Sequence, residues 1–169
     1  RQIVLIGDHC QLPPTVISQR AENGGLSRSL FERITEMGIE PLLLRTQYRM
    51  HPAISCFPNE RFYGGLLEDG VAAEDRATPA GLLWPDWEQP IAFLPLEGGE
   101  VTAPDGASKE NPAEAAWIAR LLEGLLDAGE LQQEDIGIIT PYAGQVRAIR
   151  DSVPEKYDGV EVHTVDGYQ

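Results

Sequence analysis

Four polar clusters carry most of the residue types in this 169-residue sequence that could meet a charged or planar ligand. They are Gly7-Asp8-His9-Cys10-Gln11-Leu12-Pro13-Pro14, Gln47-Tyr48-Arg49, Thr140-Pro141-Tyr142 and Thr164-Val165-Asp166. Between them they offer side-chain amides, an arginine, aromatic rings and hydroxyls. A guanidinium holds oxyanions in a planar fork, a ring stacks on a flat ligand, and an amide both donates and accepts. That chemistry is one of gripping and sensing, without covalent attack. His51 and His163 have no Ser, Cys or metal-ligand partner at a suitable spacing, so they are expected to be packed or hydrogen-bonded. Cys10 and Cys56 lack CxxC spacing and are expected to be buried free thiols of a reducing compartment, with no zinc site and no metal ligands from this segment.

The elements that must position these clusters are legible as apolar runs alternating with helical patterns, the layout of an α/β domain with a mostly parallel sheet. Ile3 to Ile6 shows no alternation, as expected for a strand covered on both faces, and stops at Gly7-Asp8. Leu26, Leu30, Phe31, Ile34 and Met37 make one helical face, with Gly38 where a left-handed terminator belongs. Leu42 to Leu44 predicts a second strand; Pro52 then opens a short helix that Pro58 must end or kink. Glu68 to Pro90 predicts an irregular surface insertion, with Trp84 and Trp87, like Trp117, as packing residues. Ile91 to Leu96 predicts a strand and Gly98 to Lys109 a loop.

The strongest helix signal follows. Asn111 caps, Pro112 suits the first position, Glu114 stands where it can return the hydrogen bond, and Ile118, Leu121, Leu122, Leu125 and Leu126 form the stripe up to Gly129. Ile136 to Thr140 is a strand, Val146, Ile149 and Val153 mark a helix, and Val160, Val162 and Val165 a last strand cut off at Gln169. Ligands of open α/β sheets bind beyond the carboxyl ends of the strands, and the polar clusters sit at such ends.

Composition sets outer limits. The length suits one ordinary core plus a remnant, and no apolar stretch approaches the ~20 residues of a membrane span. The chain starts without Met or a leader pattern and is expected to be an interior piece, truncated at both ends. The net charge of −14 is unhelpful to a binder of phosphate backbones. The acidity is concentrated: residues 60 to 140 hold seventeen acids against four bases, whereas residues 1 to 59 hold six bases against five acids.

The clusters also carry a family resemblance. GDHCQLPP resembles the third motif of superfamily 1 helicases of the 5'-to-3' kind, the group containing the nonsense-mediated-decay helicase and senataxin. QYRMHP, followed by Ser55, Phe57, Phe62 and Tyr63, is similar to that group's fourth-motif region. ITPYAGQ from Ile139 and HTVDGYQ from His163 resemble its later motifs, in the same order along the chain.

The resemblance implies a RecA-like P-loop NTPase fold, with residues 1–40 as the remnant of a first RecA-like domain and 41–169 as a second, ending within the fifth motif. It implies that Arg49 is an arginine finger and Gln11 a γ-phosphate sensor, both catalytic. Tyr48 stacks on adenine and Gln47 orients the nucleotide loop; Tyr142, Thr164 and Pro141 line a single-strand groove. ATP and Mg²⁺ are the implied cofactors, the metal ligands lying outside this chain, since no GxxxxGK[ST] occurs in it. Single-stranded RNA or DNA and a first RecA-like domain in cis are the implied partners, with no membrane, in a nuclear or cytoplasmic protein.

From the residues alone, other roles stay open. Arg49 could serve a surface ion pair, Gln11 could brace the Pro13-Pro14 turn, and Tyr48 and Tyr142 could be rim aromatics. Asp8 either polarises a cleft or caps the turn after its strand, the second being favoured. Three functions follow: a helicase fragment inactive as an ATPase alone, a degenerate RecA-like binding module, or an ATPase acting on something other than nucleic acid.

Overall fold

Short polar side chains open the first helices. Ser18 Oγ accepts from the Ala21 amide at 3.4 Å and starts α1 (Gln19–Asn23); Ser29 Oγ accepts from the Glu32 amide at 3.0 Å and starts α2 (Leu30–Glu36). Gly38, at φ +87°, ends the second as its left-handed preference dictates. The computed structural model describes residues 3–168. Strand β1 (Thr46–Gln47) leads to α3 (Pro52–Phe62), which begins at Pro52 with His51 Nδ1 accepting from the Ala53 amide at 3.0 Å. Pro58 lies inside α3 and does not end it. Beyond the proline, Asn59 fastens the last turn to the following loop, donating to the Leu67 carbonyl at 2.9 Å and accepting from its amide at 2.8 Å. Strand β2 (Glu68–Asp69) then pairs parallel to β1, Thr46 opposite Glu68 and Gln47 opposite Asp69. These elements belong to one compact unit, Arg1–Arg76.

The second unit, Ala77–Gln169, contains a hairpin and a strand–helix–strand unit. Strands β3 (Val101–Thr102) and β4 (Lys109–Glu110) pair antiparallel. Helix α4 (Pro112–Asp127) stops before Gly129, at φ +79°. Strand β5 (Gly137–Thr140), helix α5 (Ala143–Ser152) and strand β6 (Glu161–Thr164) follow, with β5 and β6 parallel and Thr140 opposite Thr164. One cluster packs Ala115, Ile149 and Val162 against Ile118, Val146 and Ile138; another packs Leu122, Tyr157 and Val160 against Leu126 and Ile136. Tyr157, buried, also donates to Asp127 at 2.7 Å. Each parallel pair has a helix between its strands, so the α/β class expected from the alternation of elements holds.

Several local expectations differ. Ile3–Ile6, Leu42–Leu44 and Ile91–Leu96 form no strand ladder among the described residues, and Ile3, Val4 and Ile6 are 80, 84 and 94% exposed. An apolar run records a demand for burial, but a ladder needs backbone neighbours, and none of these runs has one here. The loop expected over 98–109 is instead the β3–β4 hairpin, turning at Asp105-Gly106: Asp105 Oδ1 accepts from the amides of Ala107 and Ser108 at 3.0 and 3.1 Å, and Gly106 has φ +71°. Asn111 does cap α4, accepting from the Glu114 amide at 3.1 Å, yet Glu114 does not return the bond. The Asn111 amide donates to Gln145 Oε1 at 2.6 Å instead. Cys56 is exposed and Cys10 half-buried, where burial was expected for both. The chain divides into its two compact units between residues 76 and 77. The last strand ends at Thr164, and Gln169 of the final motif lies outside the described residues.

Candidate functional site

The Gln47-Tyr48-Arg49 turn is built around one amide. Gln47 sits in β1, where pairing with β2 brings it beside Asp69. Its Nε2 donates to Asp69 Oδ1 at 2.6 Å and to the Met50 carbonyl at 2.8 Å, while its Oε1 accepts from the amides of Arg49 at 2.9 Å and Met50 at 2.7 Å. Arg76 holds the outer side, its Nε reaching the Arg49 carbonyl at 3.2 Å and a terminal nitrogen the Tyr48 carbonyl at 3.3 Å. Asp69 is anchored by Ser55 Oγ at 2.6 Å; that bond first, and the one from Gln47 second, hold its carboxyl below the ordinary range.

The backbone of this turn and the Gln47 side chain are thus occupied, whereas the Tyr48 and Arg49 side chains make no hydrogen bond among the described residues. Arg49 is exposed, and no acceptor among the described residues engages its guanidinium. Tyr48 is 67% exposed, with one edge of its ring against Gly70, where an added Cβ would stand 2.3 Å from Cε1. One flank of the ring therefore rests on bare backbone. A free guanidinium and an open ring, two neighbours on a fixed turn, fit a ligand with oxyanions and a flat face.

The Gln11 loop is built around a carboxylate. Asp8 Oδ1 accepts from the Cys10 amide at 2.9 Å; Oδ2 accepts from Gln11 Nε2 at 2.9 Å and from the Tyr63 hydroxyl at 2.6 Å. Burial opposes the charge on Asp8, but the bonds from Tyr63, Cys10 and Gln11 outweigh it and hold the carboxyl below its usual value. Tyr63, in turn, is pushed up to about 12, chiefly by its bond to Asp8. Asp8 thus caps its turn as the residue types suggested. Asp8, His9 and Cys10 also bring a carboxylate, an imidazole and a thiol within 4.8 Å of one another. That carboxylate already has three donors, and burial followed by the Asp8 charge pushes the Cys10 thiol up, away from the thiolate that a metal requires.

In the second unit, Pro141 and Tyr142 follow the carboxyl end of β5, and Thr164 is the last residue of β6, opposite Thr140. Pro141 and Tyr142 are exposed, whereas Thr164 is half-buried and accepts from the Gly167 amide at 3.3 Å. Buried Gln145 sets this strap: besides accepting from Asn111 it donates to Glu114 Oε2 at 3.2 Å, tying the start of α5 to the start of α4. Gly144 admits the hairpin, since a Cβ there would be 2.7 Å from the Lys109 carbonyl oxygen, and its amide donates to Ser108 Oγ at 2.9 Å. The resulting cleft of about 380 Å³ is lined by Tyr142, Thr140 and Ile118 together with three acids, Glu100, Glu110 and Glu114, and one base, Lys109.

The expected residues therefore fall into three groups: Gln47, Tyr48 and Arg49 on one turn, Gln11 on a loop bound to the far end of α3, and Pro141, Tyr142 and Thr164 beside the cleft. Asp69, Gly70, Arg76 and Gln145, which position them, were not singled out. Only the small residue at 70 after an acidic pair hinted at a close approach; the other ties join residues more than twenty positions apart.

A family model described as AAA domain matches residues 26–169. The chain is 43% identical over 176 aligned residues to a protein of Drosophila melanogaster named regulator of nonsense transcripts 1 homolog, covering 100% of the chain and 15% of that protein. It is 42% identical to the regulator of nonsense transcripts 1 of Caenorhabditis elegans, covering 16% of it, and 38% identical to the ATP-dependent helicase NAM7 of Saccharomyces cerevisiae, covering 18%. The chain spans less than a fifth of the length of these relatives, and each alignment takes in the whole of it. The likeness to the superfamily 1 group that contains the nonsense-mediated-decay helicase, first visible in four motifs, thus extends from end to end. With a match that takes in both the Arg49 turn and the Tyr142 cleft, the chain belongs to the AAA domain family and has its RecA-like α/β fold.

Proposed function

We propose that this chain is part of an ATP-dependent nucleic-acid helicase and supplies one half of its nucleotide site together with part of its strand groove. The observation that carries the proposal is the Gln47 turn, whose backbone is held by Gln47 and Arg76 while the Arg49 guanidinium and most of the Tyr48 ring are exposed. Arg49 acts as the finger on the γ-phosphate, Tyr48 stacks on adenine, and Gln47 fixes the loop that presents them. Gln11 senses the γ-phosphate. Residues 1–40 and 41–169 then belong to successive RecA-like domains that close on the nucleotide, the phosphate loop being provided by the first domain in cis. Mg²⁺, held by residues outside this chain, would neutralise phosphate charge. These assignments draw on the motif resemblance and on relatives named as helicases.

Pro141, Tyr142 and Thr164 line the groove for single-stranded RNA or DNA. With Glu100, Glu110 and Glu114 along the cleft, contact there runs through base stacking on Tyr142 and the Thr164 hydroxyl, because carboxylates repel a phosphate path. A nuclear or cytoplasmic location accords with such an activity, and no helix among the described residues is long and apolar enough to cross a membrane.

The test uses the full-length protein that carries this chain, assayed for ATP turnover with and without single-stranded RNA or DNA. Stimulation by the strand is expected. Arg49→Ala should lower kcat by on the order of 10³ or more while a fluorescent ATP analogue still binds. The 169 residues alone should show no turnover. The acidic cleft and the net charge of −14 favour a second reading, a RecA-like module that binds without hydrolysis. A full-length protein with no ATPase activity, or one whose Arg49→Ala variant keeps its kcat, selects it.

A further inference from the structure

Asp8 can only accept, and one of its oxygens takes donors from two distant stretches of sequence. Oδ2 receives the Tyr63 hydroxyl at 2.6 Å and the Gln11 side-chain amide at 2.9 Å. A carboxylate at that distance decides which end of the Gln11 amide faces it: the NH₂ group points to Asp8, leaving Oε1 and the second N–H for other partners. Tyr63 stands one residue beyond α3, and the carbonyl of Phe62 receives the Cys10 thiol at 3.4 Å. The glutamine loop is therefore fastened twice to the C-terminal end of α3. At the other end, the helix opens at Pro52, three residues after Arg49, with buried His51 as its cap. Eleven helical residues form a strut of roughly 16 Å between the two.

From this geometry we infer that Tyr63 is a positioning residue for ATP hydrolysis: through Asp8 it orients the Gln11 amide and couples that loop, by way of α3, to the turn that carries Arg49. The inference rests on the sensor and finger roles proposed above. The hydroxyl is the part that matters, because Phe at this position keeps the ring and its packing but has nothing to offer Asp8. The bond is present throughout the neutral range, since the phenol keeps its proton until about pH 12 and Asp8 is charged well below neutrality.

The experiment is a double-mutant cycle in the full-length protein, with strand-stimulated kcat and the KM for ATP measured for Gln11→Ala, Tyr63→Phe and the pair. Tyr63→Phe should lower kcat by ~10-fold with KM within about twofold, and should have no further effect once Gln11 is alanine. A hydroxyl that merely supports the fold would act equally in both backgrounds. If Tyr63→Phe leaves kcat within about twofold while Gln11→Ala lowers it, the sensor role stands and the inference fails. If the Tyr63→Phe loss persists undiminished beside Gln11→Ala, the inference also fails, because the phenol then works through something else. A Gln11→Ala protein with unchanged kcat removes the sensor role and this inference together.

Discussion

The two compact units hold their motifs in place by different means. Every buried apolar side chain among the described residues, from Ala103 to Val162, lies in the second unit, where Leu122, Ile149 and Val162 support the strap that bears Pro141 and Tyr142. In the first unit the buried side chains are His51 and Ser55, both polar, and the motifs hang on the hydrogen-bond hubs Gln47, Asp69 and Asp8. Apolar packing is non-directional and cooperative, whereas a polar hub fixes a single local geometry and can open alone. The contrast suits the proposed division of labour: a groove that must keep its shape, and a finger and sensor that must shift with nucleotide state.

The largest expected effect lies in the second unit. Ile149→Ala should destabilise it by about 2–5 kcal/mol in urea unfolding. Hydrogen exchange at the Arg49 and Met50 amides should be unaffected; a matching loss of protection there would mean that both units unfold as one, and the contrast would be broken. A smaller effect is expected from Gln47→Ala, which removes four hydrogen bonds from the turn. It should reduce protection of those two amides by about 1–3 kcal/mol and leave the urea midpoint of the second unit where it was.

Smallest is the pH effect at the Asp8 hub. The folded Tyr63 keeps its proton up to about 12 and the unfolded chain loses it near 10.0, so the folded state binds more protons between those values. The stability that the bond contributes is present below 10.0 and fades as pH rises through that window. On the acid side, the depressed Asp8 contributes above its ordinary 3.8, and the contribution is lost as pH falls through the lower folded value. Phenolate absorbance should show a late-ionising tyrosine that is missing from Tyr63→Phe; an unchanged titration curve would deny that the hub exists in solution.

What could be read from sequence follows the same divide. Helix α4 was legible because its cap, its Pro112 and its stripe are local and periodic, and α5 and the β5–β6 pair because their apolar residues sit on a short repeat. The Asp105-Gly106 turn was legible in principle, as a tight-turn dipeptide between two short extended segments. Glu114 does not return the bond because Gln145, 34 positions from Asn111, takes the Asn111 amide with its Oε1 and the Glu114 carboxylate with its Nε2. In the first unit, the motifs disclosed Gln11, Gln47, Tyr48 and Arg49 by their types and order, but not the residues that hold them. Asp69 and Arg76 act through directional bonds across long stretches of chain, and directional bonds leave no period in a sequence; Tyr63 stands in the fourth-motif pattern, but its bond to Asp8, 55 positions away, does not show there.

Tyr48 has one edge of its ring against Gly70 and is otherwise largely exposed. Under the proposed assignment it offers a shelf and not a slot, and a base stacked there keeps its outer face wet until something else arrives to roof it. Under the proposed assignment, retention of the base and completion of the catalytic cleft become a single event, so that a base resting on the shelf alone should leave quickly.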